Sequence, residues 1–101
     1  MAHADATIEE LFTILDAKAE TDTNNDLDMS TISSPTGVFR IPLNKSFSLI
    51  RFVNVIIQGT GGGWTWKLID RDAALGPKIE VYDNTNTLAD ATVDTEVKGV
   101  V

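Results

Sequence analysis

Apolar residues recur at helical spacing near the start of the chain. The resulting stripe consists of Ile8, Leu11, Phe12 and Leu15. Glu9 and Asp16 lie mostly on the opposite side, and Thr7 and Glu10 have the spacing of a capping box. We therefore predict a helix from about Ile8 to Ala19. Because a helix of this length is marginal alone in water, its stripe should dock on this chain's own sheet or on a neighbouring subunit. Glu9 and Asp16 belong to the carboxylates that surround the stripe, and we include them among the candidate partner-binding residues.

Residues 20–37 have no periodicity and are rich in Thr, Ser, Asn and Asp, which predicts a connecting loop with an optional short strand around 27–32. From Val38 the pattern changes to period two, which predicts a strand over 38–43. Pro42 favours an edge position for that strand because proline donates no backbone hydrogen bond.

The run from Phe47 to Ile57 is apolar on both faces, which predicts a central strand covered on both sides, with a bulge near Arg51. A glycine cluster over 59–63 ends this run. The next strand, 64–68, places Trp64, Trp66 and Leu68 on one face.

Two further strands are predicted towards the end of the chain. Ile79 and Val81 alternate with polar residues, and the segment from Asp83 to Asn86 has the composition of a turn. Residues 91–97 then alternate clearly as a half-buried strand. Five to six strands predict a mainly β protein, an antiparallel sandwich or jelly-roll-like barrel with one N-terminal amphipathic helix. We divide the single unit into an acidic N-terminal helix or arm, 1–30, and a β-sandwich body, 31–101.

Charge is distributed unevenly along the 101 residues, whose formal net charge is −7. Residues 1–30 contain eight carboxylates and one lysine, and residues 31–101 contain seven charges of each sign. Such a chain is repelled by phosphate backbones and anionic membranes, so we expect no nucleic acid or membrane partner. The acidic segment either meets a basic protein surface or keeps the chain soluble. We also predict no secretory signal and no membrane span.

Residues suited to catalysis are few. The chain has no cysteine, and its single histidine, His3, lies near the terminus, so a nucleophile–base pair is not predicted. The glycines of 59–63 lack the spacing of a phosphate-binding loop. Asp70 and Asp72 flank Arg71 as in a charged turn. We therefore predict no enzyme activity, no cofactor and no catalytic residue.

Two other segments were considered as sites. The segment Asp22–Asp28 has oxygen ligands spaced like the start of a calcium loop, but it lacks the glycine and glutamate of an EF-hand. A solvated polar loop is the preferred interpretation, so no metal site is predicted. Trp64 and Trp66 either pack in the core, the favoured interpretation, or form with Tyr82 a platform for sugar rings.

In length, absence of cysteine, acidity, β-rich pattern and leading arm-like segment, the chain resembles the small decoration or cement proteins that tailed bacteriophages add to their capsids. The resemblance spans the whole chain and transfers no functional residue. It implies a structural protein on the capsid exterior that bridges neighbouring major capsid subunits as a homo-oligomer or lattice. The alternative is a carbohydrate-binding or tail and baseplate adhesion module that uses Trp64 and Trp66.

Overall fold

The computed structural model describes residues 19–101. The predicted helix, except for its last residue Ala19, lies outside the described residues, as does His3. The described chain contains six strands and one turn of 3-10 helix. The strands are β1 (Ala19–Asp28), β2 (Val38–Arg40), β3 (Leu49–Gln58), β4 (Thr65–Asp70), β5 (Lys78–Tyr82) and β6 (Thr92–Val100); the 3-10 turn is Met29–Thr31. In the described part of the chain, no helix is long and apolar enough to cross a membrane.

The strands form two three-stranded antiparallel sheets. The first sheet has the order β1-β6-β3 and the second has the order β2-β5-β4. Both sheets contribute to one core, whose buried members are Met29, Phe39, Ile41, Phe47, Ile50, Val55, Ile79, Val81, Val93 and Val97. The prediction of a mainly β, antiparallel fold of five to six strands is therefore confirmed.

The prediction of a loop over residues 20–37 is wrong for residues 20–28, which belong to β1 and pair with β6. The optional strand around 27–32 is wrong beyond Asp28, because Met29–Thr31 form the 3-10 turn. The described part of the predicted acidic arm thus consists of an edge strand of the first sheet, up to Asp28, and the start of the 3-10 turn. Asp22 points inward and is only 3% exposed. Its carboxylate accepts hydrogen bonds from the backbone N–H groups of Asn44 and Lys45. Asp22 therefore occupies an inward position that an apolar residue usually fills. Because the residue there is polar, the alternating pattern that predicts a strand is absent.

The prediction that 47–57 forms a central strand covered on both sides is also wrong. β3 lies at the edge of the first sheet, and β6 takes the central position. The predicted bulge near Arg51 is confirmed, because the β3–β6 register shifts between Ile50 and Phe52. Gly99 lies opposite the bulge, where a Cβ atom would collide with the carbonyl oxygen of Leu49.

In the second sheet, β2 occupies an edge, as predicted for this segment, but the predicted strand over 38–43 is wrong beyond Arg40, where β2 ends before Pro42. Arg40 forms a two-pronged ion pair with Asp70, with N–O distances of 2.9 and 3.1 Å, and also donates to the carbonyl oxygen of Gly76. This hydrogen-bonded guanidinium lowers the pKa of Asp70 below its ordinary value. The predicted turn after β5 is confirmed, since the Asp83 carboxylate accepts from the backbone N–H groups of Thr85 and Thr87.

Candidate functional site

An exposed apolar strip runs along the outer face of β3. It consists of Leu49, Phe52 and Ile56, whose side chains are 47%, 45% and 59% exposed. The alternation of the strand explains this arrangement, because Ile50 and Val55 on the other face enter the core. We call these three residues the β3 strip. The exposed Asn54 lies between Phe52 and Ile56 on this face. Exposed apolar side chains grouped on one strand face are a feature of protein interaction surfaces.

Charged residues of β6 lie beside the middle and one end of the β3 strip, and Glu96, which contacts Lys98 at 3.5 Å, lies between them. Lys98 pairs with Phe52 in the sheet register, and its Nζ lies 5.4 Å from the centre of the phenyl ring. This distance is within the range of a cation–π contact. Asp94 pairs with Ile56 at the end of the strip and accepts a hydrogen bond from the Gln58 amide.

A shallow cleft of about 170 Å³ lies beside Ile56 on the same face. Its lining residues are Thr23, Asn25, Asn54, Ile56, Asp94, Thr95 and Glu96. Small-molecule sites usually have volumes of roughly 300–1,000 Å³, so the cleft is smaller than a typical ligand pocket. Its mixture of apolar and polar groups is more typical of the rim of a protein–protein interface than of a small-molecule site.

The free edge of β3 differs from the other sheet edges among the described residues. β1 contains four carboxylates, β2 has three residues, and β4 contains Lys67 and Asp70. Charges and short length protect an edge from pairing with another strand. β3 is ten residues long and has Arg51 as its single charged residue. Among residues 19–101, no strand pairs with its outer edge, and the composition of β3 does not protect that edge from a further strand.

Trp64 and Trp66 are half-buried and pack against the core. Trp66 pairs with the buried Val81, whereas Tyr82 pairs with Thr65 on the opposite face of the second sheet. Tyr82 is therefore not positioned to extend a platform formed by the two tryptophans. Trp64 also fixes the glycine loop, because its indole Nε1 donates to the carbonyl oxygen of Thr60 at 3.0 Å.

The carboxylates considered from the sequence have separate structural roles. Asp22 binds the backbone at 44–45, Asp26 accepts from Gln58, and Asp28 caps the 3-10 turn at Ser30. Asp72 accepts from the N–H groups of residues 74 and 75 rather than forming a pair with Arg71. Within residues 19–101, no three His, Asp or Glu side chains are grouped as metal ligands.

The stripe residues predicted to contact a partner lie outside the described residues. They are Ile8, Glu9, Leu11, Phe12, Leu15 and Asp16. Sequence reasoning missed the β3 strip, because an apolar run on both faces of a strand is typical of a covered position. One signal was present in the sequence, since Asn54 alternates with Phe52 and Ile56 on a single face.

Comparison of the chain with protein-family models, with curated proteins and with solved structures found no match. The choice of a candidate site therefore depends on geometry alone. On that basis the β3 strip, with the charged residues beside it on β6, is the strongest candidate.

Proposed function

We propose that the chain is a non-enzymatic structural protein of a virion, which binds and bridges neighbouring capsid subunits on the outside of a phage shell. The observation that supports this proposal most strongly is the exposed β3 strip on an open sheet edge. Such a surface is suited to binding protein rather than a small substrate. We interpret the two sheets and their common core as a β-sandwich that presents this surface.

A bridging protein needs at least two contact surfaces. The β3 strip supplies one on the body, and the acidic segment with the stripe Ile8–Leu15 is the candidate for the other. Residues 1–18 lead directly into β1, whose first residue pairs with Val100. Only residues 17 and 18 separate the segment 8–16 from β1. A partner bound to this segment would therefore be held close to the first sheet.

The experiment mixes the purified chain with capsids assembled from the major capsid protein of the same phage, and measures co-sedimentation. We expect saturable binding and a higher melting temperature of the decorated capsids. Deletion of residues 1–18 stops before β1, so it should abolish binding and leave the body folded. Absence of sedimentation with the full chain would refute the proposal.

A pair of full-length variants tests the anchoring segment more directly. Leu11→Asn combined with Phe12→Asn removes half of the predicted apolar stripe and should lower capsid occupancy strongly. Thr13 does not belong to the stripe, since its place in the helical repeat is on the side away from Ile8 and Leu15, so Thr13→Asn should leave occupancy unchanged. Equal occupancy of the two variants would show that the stripe is not the anchor.

A further inference from the structure

We propose that β3 is the interface between two copies of this chain, which pair edge to edge in antiparallel orientation about a two-fold axis at Asn54. The inference concerns the chain alone and is tested without capsids, but it assigns the β3 strip to the contact between copies, which leaves the segment 8–16 of each copy for the capsid contact. It joins the two first sheets into one six-stranded sheet.

The first argument is the conflict between the composition of β3 and its position. Seven of its ten residues are apolar, and three of the seven, Leu49, Phe52 and Ile56, lie exposed on the outer face among the polar Arg51, Asn54 and Gln58. The described fold leaves its outer face and one edge open. Pairing with a second β3 would satisfy the open backbone edge and place further apolar side chains beside Phe52 and Ile56.

The second argument is that the outward residues of β3 are self-complementary. Phe52 and Ile56 are placed symmetrically about Asn54 along the strand. In an antiparallel pair centred on Asn54, Phe52 of each copy lies opposite Ile56 of the other. The two Asn54 amides then face each other and are able to form hydrogen bonds. A surface that matches itself in this way is what a two-fold interface requires.

The charges on β6 beside the proposed interface are mixed. Lys98 lies beside Phe52, Glu96 beside Asn54 and Asp94 beside Ile56, and Lys98 Nζ is 3.5 Å from the Glu96 carboxylate. In the proposed register, Lys98 of each copy lies about three strand spacings, roughly 14 Å, from Asp94 of the other, and the two Glu96 residues are separated by the same spacing. The attraction between Lys98 and Asp94 is therefore offset in part by the repulsion between the two Glu96 carboxylates, which the contact with Lys98 reduces.

Sedimentation velocity of the full chain over a range of concentrations gives the first test. We expect a reversible species of twice the 11.0 kDa monomer mass. Ile56→Lys places a cation opposite Phe52 and near Lys98 of the second copy, so it should weaken self-association at least about tenfold. Circular dichroism checks the fold, which should be retained because Ile56 is 59% exposed.

The matched control is Ile69→Lys, which introduces the same charge at a 43% exposed position on β4, an edge of the second sheet. This variant should dimerise like the wild type. A monomeric wild-type chain would overturn the proposal and would leave residues 1–18 as the candidate cover of the strip. A dimer that persists in Ile56→Lys would also overturn it.

A cysteine scan tests the register, since the chain has no natural cysteine. Paired residues on antiparallel strands have Cα atoms about 4.5–5.5 Å apart, within the roughly 4.4–6.8 Å range of disulfides. Asn54→Cys should therefore form a disulfide-linked dimer under mild oxidation. Gln58→Cys lies on the same face, but its two thiols would be separated by roughly 26 Å along the strands, so it should stay monomeric on a non-reducing gel. Equal crosslinking of the two variants would overturn the register.

Discussion

Replacing Asp22 by alanine removes the buried carboxylate that joins β1 to the turn at residues 44–46. Asp22 is 3% exposed and accepts hydrogen bonds from the backbone N–H groups of Asn44 and Lys45 and from the Asn44 side-chain amide. The Asp22→Ala variant leaves these three donors without their acceptor. The edge strand β1 loses its strongest polar contact with the chain that connects the two sheets.

The expected magnitude follows from the number and type of these hydrogen bonds. A hydrogen bond to a charged acceptor contributes about 1.5–3 kcal/mol, but three bonds to one carboxylate are not additive. Asn44 and Lys45 are exposed, so water replaces part of the loss. We expect Asp22→Ala to lower the free energy of unfolding by about 3 kcal/mol, a large part of the roughly 5–15 kcal/mol of a small domain. Asp22→Asn keeps one acceptor oxygen and should cost about half as much.

Urea denaturation followed by the fluorescence of Trp64 and Trp66 measures this change. With a urea m-value of about 1–3 kcal/mol/M, the midpoint of Asp22→Ala should fall by roughly 1–3 M. Thr23→Ala, on the exposed face of the same strand, is the control and should change stability by less than about 0.5 kcal/mol. Equal midpoints for Asp22→Ala and Thr23→Ala would refute the reasoning.

Three further changes test other parts of the fold. In Gly59→Ala, the added Cβ collides with the indole ring of Trp64, so we expect a loss of about 1–3 kcal/mol and red-shifted tryptophan emission. In Gly99→Ala, the Cβ collides with a backbone carbonyl beside the β3 bulge, so we expect a lower thermal midpoint than the wild type. Hydrogen bonding to Arg40 lowers the pKa of Asp70 below its ordinary value of 3.8, so this ion pair stabilises the fold above pH 3.8 and is lost as the pH falls through the lowered pKa. Asp70→Asn should therefore reduce the stability near neutral pH and flatten the fall of the thermal midpoint below about pH 4.

Each of these three predictions has a result that would contradict it. Unchanged emission in Gly59→Ala would mean that the Trp64 ring does not rest on the glycine. A wild-type midpoint in Gly99→Ala would mean that the bulge accommodates a side chain. An acid transition in Asp70→Asn as steep as in the wild type would mean that other carboxylates control acid unfolding.

The strands that sequence reasoning found are those in which one face is apolar and the other polar. In β6, Val93 and Val97 are buried and alternate with exposed or half-exposed residues, so the local pattern was sufficient. The turn after β5 was predicted for the same local reason, since Asp83 bonds with residues two and four positions ahead. The bulge near Arg51 was predicted because a charged residue interrupted an apolar run.

β1 was missed because its stabilising contacts are distant in sequence. Asp22 and Asn24 occupy inward positions and find partners in the segment 42–45, about twenty residues further along the chain. A polar residue is accepted in such a position when its hydrogen bonds are satisfied. These partners cannot be identified from the residues of the segment itself. Its polar composition is typical of a loop, and for that reason a loop was predicted.

The sequence by itself determined that this is a mainly β protein whose charge excess lies in its first thirty residues, because alternation and composition are local properties. Strand order was decided only by the tertiary structure, which placed β6 at the centre and β3 at the edge of the first sheet. The candidate site depends on that order, since Phe52 and Ile56 would be covered in a central strand and are exposed at the edge. The physical reason is that exposure depends on which strands become neighbours, and hydrogen bonds between distant segments fix that choice.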